Sequence, residues 1–280
     1  MSETKIYCMC LHGHHLDNLK KLSYIPVGLG KNFFSSEWIK DNTSINISDK
    51  NAYYGEYSFY FWFWKNVLNK LDDNTWVGFT GYRYHWSQKN NIQSDDLNKI
   101  INKDNFTNHI LRKIPKEWSG YDVILGEKIK VNNWKLSKII KYGKKKFFLK
   151  PSNFLKSNQN IKLHFDIFHG DGLLDKAIDL LEDSEKNDFR NFVIQENSFN
   201  RENLFFCKSK SIMHNYFQSI FNWLEKCENI FGFDLEGYSK TRIYAFLAER
   251  YLSFWFNKHS SPITWPIFFF DTNKNKIQIQ

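Results

Sequence analysis

Several common signatures are missing from this chain of 280 residues. No apolar run reaches the ~18 residues of a membrane span. The opening MSETKIYCMC lacks the charged start and long apolar core of a signal peptide. The four cysteines, Cys8, Cys10, Cys207 and Cys227, form no CxxC pair, so reduced thiols in a cytoplasmic setting are the simplest expectation. GxGxxG is absent, and so is GxxxxGK followed by Ser or Thr; the glycines of Val27-Gly-Leu-Gly-Lys31 match neither. Standard dinucleotide and P-loop sites are thereby excluded. RNP-type, zinc-finger and helix-turn-helix signatures are missing, and the basic residues are dispersed, which argues against nucleic acid as a partner. There are no repeats and no clear linker, so one domain over residues 1–280 is expected.

What is present is aromatic and basic. Aromatics make up 18% of the chain, with 10 Trp and 27 Phe, a content suited to a core or to a cleft that stacks on sugars. The net charge of +9 favours anionic partners such as nucleotides, phosphosugars or acidic lipid surfaces. The organising stretch is Thr75 to Trp86, TWVGFTGYRYHW. Residues Trp76 to Thr80 read as a buried parallel strand. Gly81 ends it, and Tyr82, Arg83, Tyr84, His85 and Trp86 follow at once. The carboxyl end of such a strand is where open α/β sheets bind ligands. An aromatic turn with Arg83 at the surface is the other reading.

Lys5 to Leu11 reads as a first buried strand, followed by His12, Gly13, His14 and His15, whose spacing lacks a second metal-ligand cluster. Leu16 to Leu22 is a short helix. Asp41 to Asn51 is a polar loop of turn formers. Tyr53 to Asn66 is one buried helix, in which Glu56 needs a partner, either structural or a ligand hydroxyl. A polar linker follows from Ser87 to Asp96, then a helix from Leu97 to Leu111, then a strand from Tyr121 to Leu125. Trp134 to Lys150 includes the basic run Lys144, Lys145 and Lys146, a solvated face or a dock for an acidic membrane surface. His164, Asp166, His169 and Asp171 either bind a divalent cation or hold a loop before a helix from Leu173 to Leu181. Glu202 to Cys207 is a strand, Ile212 to Lys226 a long amphipathic helix, Lys240 to Phe256 the last helix, and Ile267 to Phe270 a closing strand. Arg242 and Glu249, seven apart, are expected on one buried helical face.

Four stretches together resemble a glycosyltransferase-like family of bacterial capsular and surface-polysaccharide clusters, long labelled a domain of unknown function, some of whose members are galactofuranosyltransferases with a GT-A-like fold. The segment NISDKNAYYGEYSFYFWFWKN matches the family's N-I-S-x-K-N, E and Y-W-x-W-K-N pattern through Asn46, Ser48, Lys50, Asn51, Glu56, Tyr60, Trp62, Trp64, Lys65 and Asn66. WVGFTGYRYHW matches its strand end through Gly78, Tyr82 and Arg83. Asn203 and Phe205 match its N-M-F-I segment, and Arg242, Phe246, Leu247, Glu249, Arg250 and Leu252 match R-x-x-G-F-L-x-E-R-L. Gly81, Tyr84 and Tyr244 or Ala245 depart from the family's His, second Arg and Gly.

The resemblance implies a single α/β, GT-A-like domain with a mixed, mostly parallel central sheet flanked by helices. It implies transfer of a hexose, such as galactofuranose, from a UDP-linked donor to a surface-polysaccharide or glycolipid acceptor, by a cytoplasmic enzyme at the inner face of the membrane. Carried over residue by residue, Glu249 and Arg83 are catalytic. Tyr82, Arg83, His12, Asn46, Lys50, Asn51 and Glu56 bind the nucleotide sugar. His169, Asn203, Arg242 and Arg250 serve the acceptor or support the site. Many GT-A enzymes hold a metal with Asp-x-Asp, which this sequence lacks. Arg83 can supply the fixed positive charge instead, so no cofactor is expected, and a cation near His169 and Asp171 is the reserve reading. A non-catalytic glycan-binding relative and a basic nucleic-acid binder are the alternative functions.

Overall fold

The computed structural model describes residues 3–89, 101, 105–132, 152 and 155–271. Backbone contacts gather into two compact units. Unit 1 comprises residues 1–127, 202–217 and 256–280, and unit 2 residues 128–201 and 218–255. The chain passes between them four times, at residues 127/128 and 201/202 and inside the long helices Lys210–Phe231 and Ile243–His259.

Unit 1 is built on a seven-stranded sheet. Its strands are β1 (Thr4–Cys10), β2 (Ile25–Gly28), β3 (Ile39–Lys40), β4 (Trp76–Gly81), β6 (Val123–Gly126), β9 (Phe205–Cys207) and β10 (Ile263–Trp265), in the order β10-β6-β9-β4-β1-β2-β3. All neighbours are parallel except β9, which runs antiparallel between β4 and β6. Two further strands, β5 (Tyr84–Trp86) and β11 (Ile267–Phe269), pair antiparallel. The helix Leu16–Leu22 is the crossover that joins β1 to parallel β2.

The aromatic content fills both faces of this sheet. On one face Tyr7 of β1, Phe79 of β4 and Phe205 of β9 meet Phe59, Tyr60 and Phe63 from the helix Tyr57–Asn66. On the other, Phe206 lies 5.1 Å from Trp86 and 4.9 Å from Trp118, and Trp118 lies 5.4 Å from both Trp76 and Trp265. Such pairs contribute about 0.5–1.5 kcal/mol each beyond area burial. Gly78 makes room for this layer, since a Cβ there would lie 2.0 Å from Phe206 Cε1.

Several expected elements differ. The buried helix Tyr53 to Asn66 is broken into Asn51–Tyr54 and Tyr57–Asn66, because Gly55 takes φ +57°. The rings after Gly81 form strand β5 rather than a turn. Within the expected helix Leu97 to Leu111 the described residues form only the turn Phe106–His109; Ile110 bridges to Ser87 and Leu111 donates to Trp86 O at 2.8 Å. The rest of that helix, most of the Ser87–Asp96 linker and the basic run Lys144–Lys146 lie outside the described residues.

Unit 2 pairs β7 (Lys128–Lys130) with β8 (Ser198–Asn200) antiparallel, and the other regular elements among its described residues are helices. The helix Ile161–His169 is capped by Asn160, whose Oδ1 accepts from Leu163 N at 2.8 Å. The segment carrying His164 and Asp166 was expected as a loop. The helices Leu173–Ile178 and Asp183–Gln195 follow. Their core includes Phe189, 5.3 Å from Tyr251, and Trp223, whose Nε1 donates to Ala177 O at 2.7 Å. Lys240 to Phe256 is two helices, Tyr238–Thr241 and Ile243–His259, and Arg242 lies outside both with φ −92° and ψ 26°. Seven-residue helical spacing therefore does not place Arg242 on the face of Glu249.

Candidate functional site

The parallel strands of unit 1 end together, and the loops that follow β1 and β4 bring several polar side chains to one place. The amide of Tyr82 donates to Met9 O at 3.1 Å, which fixes the loop after β4 against the end of β1. The turn Gly13–His15 folds His15 back so that its ring is buried, 5.1 Å from the ring of Tyr82. Arg83 follows, half-buried, with its guanidinium carbon 4.9 Å from the Tyr82 ring and 5.9 Å from that of Phe269. Its carbonyl accepts from Phe270 N at 2.8 Å, which ties the loop to the segment after β11. Buried Asp271 stands near His15 and Tyr82 and acts on both electrostatically.

The electrostatics of this cluster follow from burial. Desolvation, then the neighbouring imidazoles of His14 and His12, push the His15 pKa down to about 4. Desolvation likewise holds His85 at about 4. Burial raises the Tyr82 phenol, and Arg83 opposes that rise. His15 Nε2 and Arg83 Nε are buried with no hydrogen-bond partner among the described residues. A buried polar atom left in that state costs roughly 1–3 kcal/mol.

The other expected nucleotide-sugar residues are placed as follows. His12 is exposed, its ring 5.8 Å from that of His14. Asn46 is spent on its own turn: Oδ1 accepts from Ser48 N and Oγ at 3.2 and 2.9 Å, and Nδ2 donates to Ser44 O. Lys50 ends the turn Ser48–Lys50. Asn51 Nδ2 donates to Gly55 O and Ser58 Oγ, both at 2.9 Å, and Ser58 Oγ donates to buried Asp41 at 2.6 Å. Glu56 finds a structural partner, Asn203 Nδ2, at 2.5 Å. Asn203 also accepts from the Tyr57 hydroxyl on Oδ1 and from the Tyr60 hydroxyl on its carbonyl. Its φ of +54° is one that Asn tolerates better than most residues.

Glu249, Arg250, Arg242 and His169 belong to unit 2. Arg250 is fully buried, and its Nη1 donates to Glu249 Oε2 at 2.6 Å and to Phe246 O at 3.2 Å. Nη2 lies 3.2 Å from His164 Nδ1 and 3.3 Å from His169 Nε2. The rings of Phe199 and Phe165 lie 4.4 and 5.5 Å from the guanidinium carbon. Burial and the adjacent cation drive both imidazoles down, His169 to about 2. Asp166 holds Lys162 at 2.8 Å and accepts from Gly172 N at 3.2 Å. With a guanidinium against both histidines and a lysine on Asp166, this segment does not fit a cation. Among the described residues no group of three or more His, Cys, Asp or Glu is arranged to hold a metal ion.

The sequence singled out His15 only beside His12 and His14 as a metal reading, and it did not single out Asp271. A separate cavity of about 590 Å³ opens at the amino ends of β4 and β6, lined among others by Asp73, Asp122, Lys208, Lys210 and His214. Its charges neutralise each other through Lys208–Asp122 at 3.4 Å and Lys210–Asp73 at 3.6 Å.

The mixed, mostly parallel sheet and the polar cluster at its strand ends define an α/β protein of the GT-A-like class. The fold is similar to that of the apo structure of WbbM, a bifunctional glycosyltransferase, with TM-score 0.66 and 18% identity over 97% of this chain and 46% of that one. The chain thus spans less than half the length of that protein. No curated protein matches it. The profile of the family described as "Domain of unknown function (DUF4422)" matches residues 5–260, and the chain belongs to that family.

Proposed function

We propose that the chain is a glycosyltransferase that moves a hexose from a UDP-linked donor to a glycan acceptor. The observation that carries this reading is Arg83 beside Tyr82 at the end of β4, in a fold similar to a glycosyltransferase over nearly the whole chain. In the reaction the bond between the anomeric carbon and the diphosphate oxygen breaks, the acceptor oxygen bonds that carbon, and UDP leaves with the charge. The acceptor hydroxyl gives up its proton, which passes to solvent. Arg83 neutralises the departing diphosphate, the part that Asp-x-Asp and a metal play in many GT-A enzymes.

The family resemblance extends the reading to galactofuranose as the sugar and to a surface polysaccharide or glycolipid as the acceptor. It also extends to work at the inner face of the membrane, with the basic run Lys144–Lys146 meeting acidic lipid. Among the described residues no helix is long and apolar enough to cross a membrane. The test is a panel of UDP-hexoses incubated with the protein and a lipid-linked glycan, reading UDP release and extended product. Glycan binding with neither UDP binding nor UDP release would replace the enzyme by a non-catalytic glycan-binding protein.

A further inference from the structure

We propose that His15 is a donor-binding residue whose Nε2 hydrogen-bonds the diphosphate of the nucleotide sugar, alongside Arg83. The proposal rests on the glycosyltransferase reading of the same strand ends. Its grounds are geometric. His15 is only 4% exposed, yet Nε2 has no partner among the described residues. Arg83 Nε, from the loop after β4, is in the same condition. Both residues lie against one ring, Tyr82: the His15 ring at 5.1 Å and the Arg83 guanidinium at 4.9 Å. Folded proteins satisfy most such buried groups, and an exception is accounted for by an ordered water, an ion, a ligand or a catalytic role; here two of them meet at the strand ends where α/β sheets bind ligands.

The chemistry fits a diphosphate. An imidazole kept neutral by burial still carries one N–H, and phosphate oxygens accept from it. The guanidinium supplies the charge. A second cation at His15 is not needed, and the neighbouring imidazoles disfavour one. Buried Asp271 acts electrostatically on His15 and Tyr82 and opposes a bare anion, so a ligand must be held by directed bonds rather than by net charge alone.

The test compares wild type with His15→Phe, which keeps the ring and removes both nitrogens. Melting temperature is read without ligand, and affinity is read by calorimetry for UDP, uridine and inorganic pyrophosphate. The expected result is an unchanged or higher melting temperature, UDP and pyrophosphate affinity reduced at least tenfold, and uridine affinity unchanged. A melting temperature lower by several degrees would make His15 a structural residue and overturn the proposal. So would UDP affinity within twofold of wild type. If wild type binds pyrophosphate but transfers from no UDP-sugar, the glycosyltransferase reading fails while the diphosphate site stands. If wild type binds neither UDP nor pyrophosphate, the site itself is refuted.

Discussion

Two polar clusters in this protein contain arginine and histidine, and they differ in what faces the guanidinium. In unit 2 the guanidinium of Arg250 faces a carboxylate, a carbonyl, two imidazoles and the rings of Phe165 and Phe199. Both clusters leave buried nitrogens unbonded among the described residues, Arg250 Nε and His169 Nδ1 in unit 2 and Arg83 Nε and His15 Nε2 in unit 1, but Arg250 is held by the Glu249 carboxylate whereas Arg83 lies against the rings of Tyr82 and Phe269. A guanidinium paired with a carboxylate holds a structure together. One packed against rings keeps its charge for a ligand. The contrast separates residues that the family pattern lists side by side.

The largest effect expected from breaking this contrast is at Arg83. Arg83→Ala should lower transfer roughly a hundred- to a thousandfold, the loss typical of one preorganised charge donor, with little change in melting temperature. Arg83→Lys should recover only part, because a point charge lacks the forked geometry. Steady-state transfer and thermal melting of the two variants check this; full activity in Arg83→Ala would remove Arg83 from the site.

Glu249→Gln should act through stability. It leaves buried Arg250 without the carboxylate beside it, and breaking a buried pair in this way costs about 3–5 kcal/mol. Replacing both, Glu249→Gln with Arg250→Met, should return much of that loss in urea unfolding. If the single variant melts normally and its turnover falls a hundredfold, Glu249 is instead the acceptor-activating group that the resemblance implies.

Acid sharpens the contrast further. His15 and His85 titrate at about 4, His169 at about 2, and His164 well below its ordinary range, all mainly through burial. The unfolded chain takes up these protons near pH ~6.5 while the folded chain does not. Stability is therefore full above about pH 6.5 and falls as pH drops, at up to ~1.4 kcal/mol per pH unit for His169. Below about 4, His15 and His85 stop adding to the fall, whereas His169 continues toward about 2. Urea midpoints measured between about pH 7.5 and pH 3.5 would trace it, and a flat profile would refute it. The smallest expected change is with saturating chelator. Transfer should stay largely intact, and an absolute Mn or Mg requirement would overturn Arg83 as the substitute charge.

Much of the sheet was legible because β1, β4, β6 and β9 are short apolar runs bounded by polar turns. Elements that depend on distant partners were harder. Tyr84–Trp86 becomes a strand only through Ile267–Phe269, more than a hundred residues away in the chain. Ile25–Gly28 is interrupted by Pro26, yet pairs parallel to β1. The helix Asp183–Gln195 buries only Glu185, Phe189 and Val193, too thin a stripe to read against its charge. At the candidate site, the position of Arg83 after a buried strand was readable. The burial of His15 was not, since it depends on a tight turn and on Tyr82 arriving from another strand.

The position of β9 has a consequence during synthesis. It pairs with both β4 and β6, but the ribosome makes it after both. From the completion of β6 at Gly126 until Cys207 emerges, β4 has an open edge and β6 has no partner strand, since β10 comes later still. At typical elongation rates that interval is on the order of ten seconds, long enough for an apolar edge to recruit another chain or a chaperone. Ribosome-stalled chains ending before β9 should remain protease-sensitive around β4 and β6, and chains long enough to expose β9 and β10 should become resistant; equal sensitivity of the two would rule this order out.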